Sequence, residues 1–160
     1  MTIIIKHVDF ENEQHTADLV FLLNDYASDP MGGGEPLSDY VKTHLALELK
    51  RFPTAFALIA YVDGKPAGLL NAIMGFSTFK CQPLINIHDL TVVKAYRGSG
   101  ISQQLLAEVE NIAHSKQCCK ITLEVLDGNN IARNAYTKFG FSGYELDPKM
   151  GKAMLWQKLL

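Results

Sequence analysis

Two periods of apolar residues alternate along this 160-residue chain. Residues 2–8 are β-branched and short, which predicts a first strand. Over residues 13–28, Leu19, Leu22, Leu23 and Tyr26 recur on one helical face. Asp29-Pro30-Met31-Gly32-Gly33-Gly34-Glu35-Pro36 interrupts that pattern with breakers and predicts a loop. Ser38 then suits the N-cap of a second helix over 39–51, which carries Val41, Leu45 and Leu49. Residues 55–62 and 66–77 read as a hairpin turned by Asp63-Gly64, and 84–93 as a further, largely apolar strand broken by His88 and Asp89.

The helical period returns from about 100 to 115, where Ile101, Leu105, Val109 and Ile112 form a stripe. A strand is expected over 120–126 and a short helix over 130–139, ended by Gly140. Two last strands are expected over 141–145 and 152–159, separated by Asp147-Pro148. The sum is an α/β protein of the α+β kind. It has one mixed, mostly antiparallel sheet of about seven strands and four helices on both faces. No linker divides the chain, so residues 1–160 are expected to form a single domain.

Composition narrows the function classes. Hydrophobic residues make up 48% and charged residues 20%, as in ordinary globular proteins. A net charge of −2 argues against nucleic acid or an anionic membrane surface as partner, since both require a basic face. No apolar run reaches the ~20 residues of a membrane span, and the first residues read as a strand rather than a leader. Cys81, Cys118 and Cys119 are odd in number and two are adjacent, which is no disulfide framework, so a cytoplasmic location is expected. His114 and Cys118 lack further ligands at suitable spacing, so no metal is expected.

The candidate chemistry begins at Arg97-Gly98-Ser99-Gly100, between an apolar strand and an amphipathic helix. Small residues there allow close approach to the backbone, and the following helix presents N–H groups and a positive dipole end. A phosphate is the expected occupant. A P-loop would need a lysine after Gly100, where Ile101 stands. A dinucleotide fingerprint would need a third glycine where Gln103 stands, although Glu124 lies about one unit downstream. A coenzyme A pyrophosphate site is the third reading.

Asp89-Leu90-Thr91-Val92, followed by Tyr96-Arg97-Gly98-Ser99-Gly100-Ile101, resembles the acetyl-CoA motif of the GNAT N-acetyltransferase superfamily, Gln/Arg-x-x-Gly-x-Gly/Ala. Ser102 stands where that motif has glycine or alanine. Asn129-x-x-Ala132-x-x-x-Tyr136-x-Lys138-x-Gly140-Phe141 is similar to the family's second cofactor block. The two blocks and their flanking strands cover roughly residues 84–145.

The resemblance implies acetyl transfer from acetyl-CoA to a primary amine in a ternary complex. It implies a splayed central strand pair, with the backbone of Leu90 and Val92 binding the acetyl carbonyl and pantetheine arm. Gly98, Ser99, Gly100, Ile101 and Ser102 would hold the pyrophosphate, with charge from Arg97. Tyr136 would protonate the departing thiolate, while Asn129 and Asn134 would be further cofactor contacts. His88-Asp89 stands where the polyamine acetyltransferase branch has Glu-Asp, which makes both residues candidates for handling the amine proton. In a regular strand the two would face opposite sides, so sharing one cleft requires a distortion.

The triple-glycine loop is the expected acceptor-side element, with Asp29 and Glu35, and Asp39 beyond them, drawing in a cationic small-molecule amine. Its three glycines predict a loop that orders only on substrate binding. Members of the family often dimerise, sometimes through the last strands, and Ala153-Met154-Leu155-Trp156 is apolar enough to pair in a homodimer or to be buried. The alternative function is a non-catalytic acyl-CoA-binding sensor, which would have no use for an acid at Tyr136.

Overall fold

A computed structural model describes residues 1–160. The chain clusters into two compact units, Met1–Leu123 and Glu124–Leu160. The first unit runs β1 (Ile3–His7), α1 (Glu13–Ser28), α2 (Asp39–Arg51), β2 (Ala55–Val62), β3 (Lys65–Ser77), β4 (Gln82–Val92), α3 (Ile101–Ser115) and β5 (Ile121–Leu123). The second holds α4 (Asn130–Phe139). Helix starts follow local chemistry. Asn12 Oδ1 accepts from His15 N at 3.0 Å to begin α1, and Ser38 Oγ accepts from Val41 N at 3.3 Å to begin α2. No helix is long and apolar enough to cross a membrane.

The sheet has five strands in the order β1-β2-β3-β4-β5, not about seven. β1 to β4 pair antiparallel, and β5 joins β4 in parallel. The expected strand over 120–126 shortens to Ile121–Leu123. The expected strands over 141–145 and 152–159 reduce to one bridge, Glu145 with Lys152. Pro148–Met150 forms a single 3₁₀ turn between them, and Gly151 follows at φ 80°. A ladder needs several successive pairs, and an isolated two-strand ribbon is marginal. The apolar residues of this tail therefore stay exposed: Met154, Leu155 and Trp156 are all well accessible.

The pleat sends alternate residues of the sheet to opposite faces. Ala57, Ile59, Tyr61 and Leu69 join Leu19 and Leu22 of α1, with Leu45 and Leu49 of α2 packed beside them. Within this layer the Tyr61 hydroxyl donates to Asp18 Oδ2 at 2.7 Å, and Gln14 Nε2 donates to Asp18 Oδ1 at 2.9 Å. Both oxygens of the buried carboxylate are thereby satisfied. Burial and the bond to Asp18 raise the Tyr61 phenol far above its ordinary value, so it remains protonated.

The opposite face carries α3, whose buried stripe is Ile101, Leu105, Leu106, Val109 and Ala113. Leu106 and Ala113 extend the expected stripe, while Ile112 is only half-buried. Gly68 of β3 makes this close packing possible. A Cβ there would lie 2.8 Å from Ile101 Cγ2, 3.2 Å from Thr91 O and 3.3 Å from Leu105 Cδ1. Gly68→Ala should push α3 off the sheet and cost about 1–3 kcal/mol, as overpacking does. Denaturant unfolding is the check, and an unchanged midpoint would contradict this packing.

Candidate functional site

The site is organised by one irregularity in β4. Asn71 pairs with Asp89, but Ala72 pairs with Ile87, leaving His88 as an extra residue without a cross-strand partner. This is a β-bulge, and it reverses the alternation of everything beyond it. Ile87 shares the α3 face with Ala72, so its neighbour His88 turns to the α1/α2 face. Asp89 lies opposite Asn71, on the same face as Leu69, and so also turns to α1 and α2. The distortion that two adjacent residues require to share one cleft is therefore present. Both line a cavity of about 170 Å³ whose remaining walls include Leu23 of α1, Leu45 and Leu49 of α2, and Phe56 of β2.

The same shift governs the backbone. Ile85 N donates outward to Lys120 O at 3.2 Å, towards β5. Past the bulge, Val93 N donates to Ala67 O at 2.9 Å, which puts residues 89, 91 and 93 into the ladder with β3. Leu90 and Val92 consequently direct their N–H and C=O groups to the other edge. There β5 has already stopped, its last pair being Ile87 with Leu123. Arg97 reaches this edge, since its Nε donates to Val92 O at 3.0 Å.

The turn after β4 leads into α3. Gly98 and Gly100 take φ values of 81° and 84°, the left-handed region that glycine reaches without strain. A Cβ at either would meet no atom within 4 Å, so the outer surface of the turn is open. Gly100 has no side chain with which to cap α3, so the first N–H groups of the helix point into the turn. Ile101 is buried against the sheet, Ser102 is half-buried, and the Ser99 hydroxyl donates to Tyr96 O within the turn. An open, N–H-rich turn of this kind fits a phosphate group.

The loop after α1 is more tightly bound than three glycines suggest. Gly32 N and Gly34 N donate to Asp29 O at 2.8 and 3.0 Å, and Glu35 N donates to Ala27 O at 3.1 Å. Gly32 packs so closely that a Cβ would fall 1.9 Å from Tyr26 O. Asp29 caps this turn by accepting from Met31 N at 2.9 Å, and it accepts from Arg97 Nη2 at 3.1 Å. The Met31 N–H and then the Arg97 guanidinium hold its carboxyl below the ordinary value. Asp29 thus ties the loop to the turn after β4, while Glu35 is exposed.

Two residues to which the sequence assigned no chemistry act on the carboxylates here. Asn71 Nδ2 donates to Asp89 Oδ2 at 3.0 Å, fixing the carboxylate from the neighbouring strand. Its signal was a lone amide in the otherwise apolar run Ala67–Met74. Tyr26 is raised above its ordinary value by burial and then by the charges of Asp89 and Asp29, which keeps it a neutral phenol.

In the second unit, Asn129 Oδ1 accepts from Ala132 N at 3.1 Å and caps α4. Gly140 ends that helix at φ 109°. Tyr136 is half-buried, with its ring edge-on to Phe141 at 5.9 Å, and Asn134 is exposed.

Comparison with known proteins places this geometry in context. Residues 19–141 match the model of the acetyltransferase (GNAT) family. A thialysine N-epsilon-acetyltransferase of Bos taurus is 33% identical over 118 residues, covering 66% of this chain and 69% of the relative. N-alpha-acetyltransferase 30 of Saccharomyces cerevisiae is 31% identical over 147 residues, covering 88% of this chain and 77% of the relative. The solved structure of AAC(6')-Iy, in complex with the bisubstrate analog CoA-S-monomethyl-acetylneamine, superposes with a TM-score of 0.76 at 19% identity and covers 100% of both chains. At that identity the likeness is one of fold.

The Asp29 bonds carry a pH dependence. A carboxyl held low in the folded state contributes stability above its unfolded pKa, and this is lost as pH falls through the folded value. Asp29→Asn retains the acceptor for Met31 N but removes the charge facing Arg97. Thermal melts should show the variant less stable near neutrality, with the gap closing below about pH 4. A gap that is constant with pH would exclude the ion pair as its source.

Proposed function

The chain belongs to the acetyltransferase (GNAT) family, and from that premise we propose that it moves an acetyl group from acetyl-CoA to a primary amine of a small molecule. The bulge at His88 carries this reading. By one inserted residue it puts His88 and Asp89 on one cleft and turns the N–H groups of Leu90 and Val92 to an edge that leads straight into the glycine turn. Donor and acceptor elements thus lie along a single strand.

The open turn and the helix start fit the pyrophosphate of coenzyme A, with Gly98, Ser99, Gly100, Ile101 and Ser102 as its backbone contacts. Bound acetyl-CoA supplies the acyl carbon that the amine attacks. Leu90 and Val92 donate N–H groups to the acyl oxygen and the pantetheine arm, a role that outward-facing strand amides can fill. Arg97 keeps that edge in place through Val92 O and adds positive charge beside the turn. An alkylammonium must lose a proton before it can attack, since its pKa is near ~10. His88 takes that proton, and Asp89 attracts the cation. Tyr136 donates its phenolic proton to the departing sulfur, a group of similar basicity. Asn129 shapes the start of the helix that bears it. The curated relatives are named for acetylation of nitrogen, which agrees with an amine acceptor.

Tyr136→Phe should keep acetyl-CoA affinity while kcat falls by roughly 10²–10⁴, the range for a lost general acid. Unchanged turnover would remove Tyr136 from the mechanism. His88→Ala should lower kcat by about 10² with the KM for acetyl-CoA unchanged. Both are read by release of free thiol across a panel of amines. Tight acetyl-CoA binding with no release for any amine would favour an acyl-CoA sensor instead.

A further inference from the structure

The cleft beneath the bulge holds one polar atom that the transfer scheme leaves unused. Asn71 is only 8% exposed, and its Oδ1 is buried with no hydrogen-bond partner. The amide orientation follows from its neighbour, because the Asp89 carboxylate accepts and must face Nδ2. A buried carbonyl oxygen without a donor is a cost that a leucine at this position would avoid. Asn71 stands in the wall of the same cavity as His88 and Asp89. An N–H donor arriving in that cavity would satisfy it.

The remaining wall determines what can carry that donor. Leu23, Leu45, Leu49 and Phe56 present hydrocarbon, and Asp89 is the sole carboxylate in the lining. A polyamine or aminosugar brings several ammonium groups, each of which would need its own acceptor or water on leaving solvent. The leucines and Phe56 supply neither. A single amine on a hydrocarbon arm meets the wall with like against like and places one nitrogen beside Asp89 and Asn71.

We infer that this cleft takes a primary amine borne on an uncharged apolar arm, with Asn71 Oδ1 accepting one of its N–H groups. Asn71 is thereby a specificity-determining residue for the acceptor. The inference rests on the acetyl-transfer reading above and extends it to a substrate class.

The test compares hexylamine and phenethylamine with spermidine and an aminoglycoside, for the wild type, Asn71→Leu and Asn71→Ala. Turnover is followed by thiol release from acetyl-CoA, and amine binding by calorimetry on the CoA-loaded protein. The wild type should favour the apolar monoamines at least tenfold in kcat/KM. Both variants should raise the KM and weaken the binding of those monoamines by about tenfold, the size of one lost bond to a charged donor. Their KM for acetyl-CoA should not change. Because either substitution also removes the Asn71 bond to Asp89, the same variants are compared in an Asp89→Asn background. The rise in amine KM should persist there, and its disappearance would overturn the inference by reducing Asn71 to a residue that positions Asp89.

Preference for the polycations would overturn the inference. So would an unchanged amine KM together with a raised melting temperature, which would give the oxygen a role in folding alone. Both of those results leave acetyl transfer intact. Absence of thiol release with every amine would instead defeat the transfer reading, and calorimetry would still decide the inference: apolar monoamines binding the wild type and not Asn71→Leu support it, while equal binding to both overturns it.

Discussion

One extra residue in β4 sets the register on which the rest of the site depends. A strand has a period of two, so inserting a single residue exchanges the two faces and the two edges for everything beyond it. Without His88 as the surplus residue, Asp89 would fall on the α3 face with Ile85 and Ile87, where its charge would lie among hydrocarbon. The amides of Leu90 and Val92 would turn inwards to β3. With it, the carboxylate faces α1 and α2, and the amides face the edge beyond the end of β5. Asn71 holds Asp89 from the partner strand, so a side-chain bond and a backbone irregularity specify the same arrangement.

Core packing then fixes where the glycine turn sits. α3 rests on the sheet through Ile101, its first residue, which meets β3 where Gly68 leaves room. The start of the helix is therefore held by buried contacts rather than by the turn, which leaves the turn's outer surface open. Arg97 closes the arrangement on the other side, joined at once to the end of β4 and to Asp29 in the loop after α1. The turn after β4 and the loop after α1 are mechanically connected by that one guanidinium. Asp29 serves as a cap and an ion-pair partner, which accounts for an acidic residue at this position by bonds already made.

The four helices and the three long strands were legible because each depends on contacts close in sequence. Asn12, Ser38 and Asn129 cap their own helices, Gly140 ends its own, and Asp63-Gly64 turns its own hairpin. The two terminal strands were misread for the opposite reason. The apolar run Ala153-Met154-Leu155-Trp156 describes a segment able to pair, but pairing needs a partner, and this one makes a single bridge. Gly32–Gly34 show another limit of composition: Gly32 serves close backbone approach, and Gly33 and Gly34 take positive φ, uses that a count of glycines does not distinguish from one another.

By itself the sequence determined the order of elements as far as α4, the glycine turn at the head of a helix and the paired motifs of the family. All of these are local patterns or recurring residue spacings. It also raised the question of how adjacent His88 and Asp89 could share a cleft, and it could not answer it. A bulge depends on how two strands register against each other, and no periodicity within one strand shows on which partner the surplus residue will fall. Likewise, Asn71 read only as a lone amide among apolar residues until the fold set it against Asp89 and beside a cavity. Tertiary structure decided these points because burial and hydrogen-bond satisfaction belong to pairs of residues brought together from distant parts of the chain.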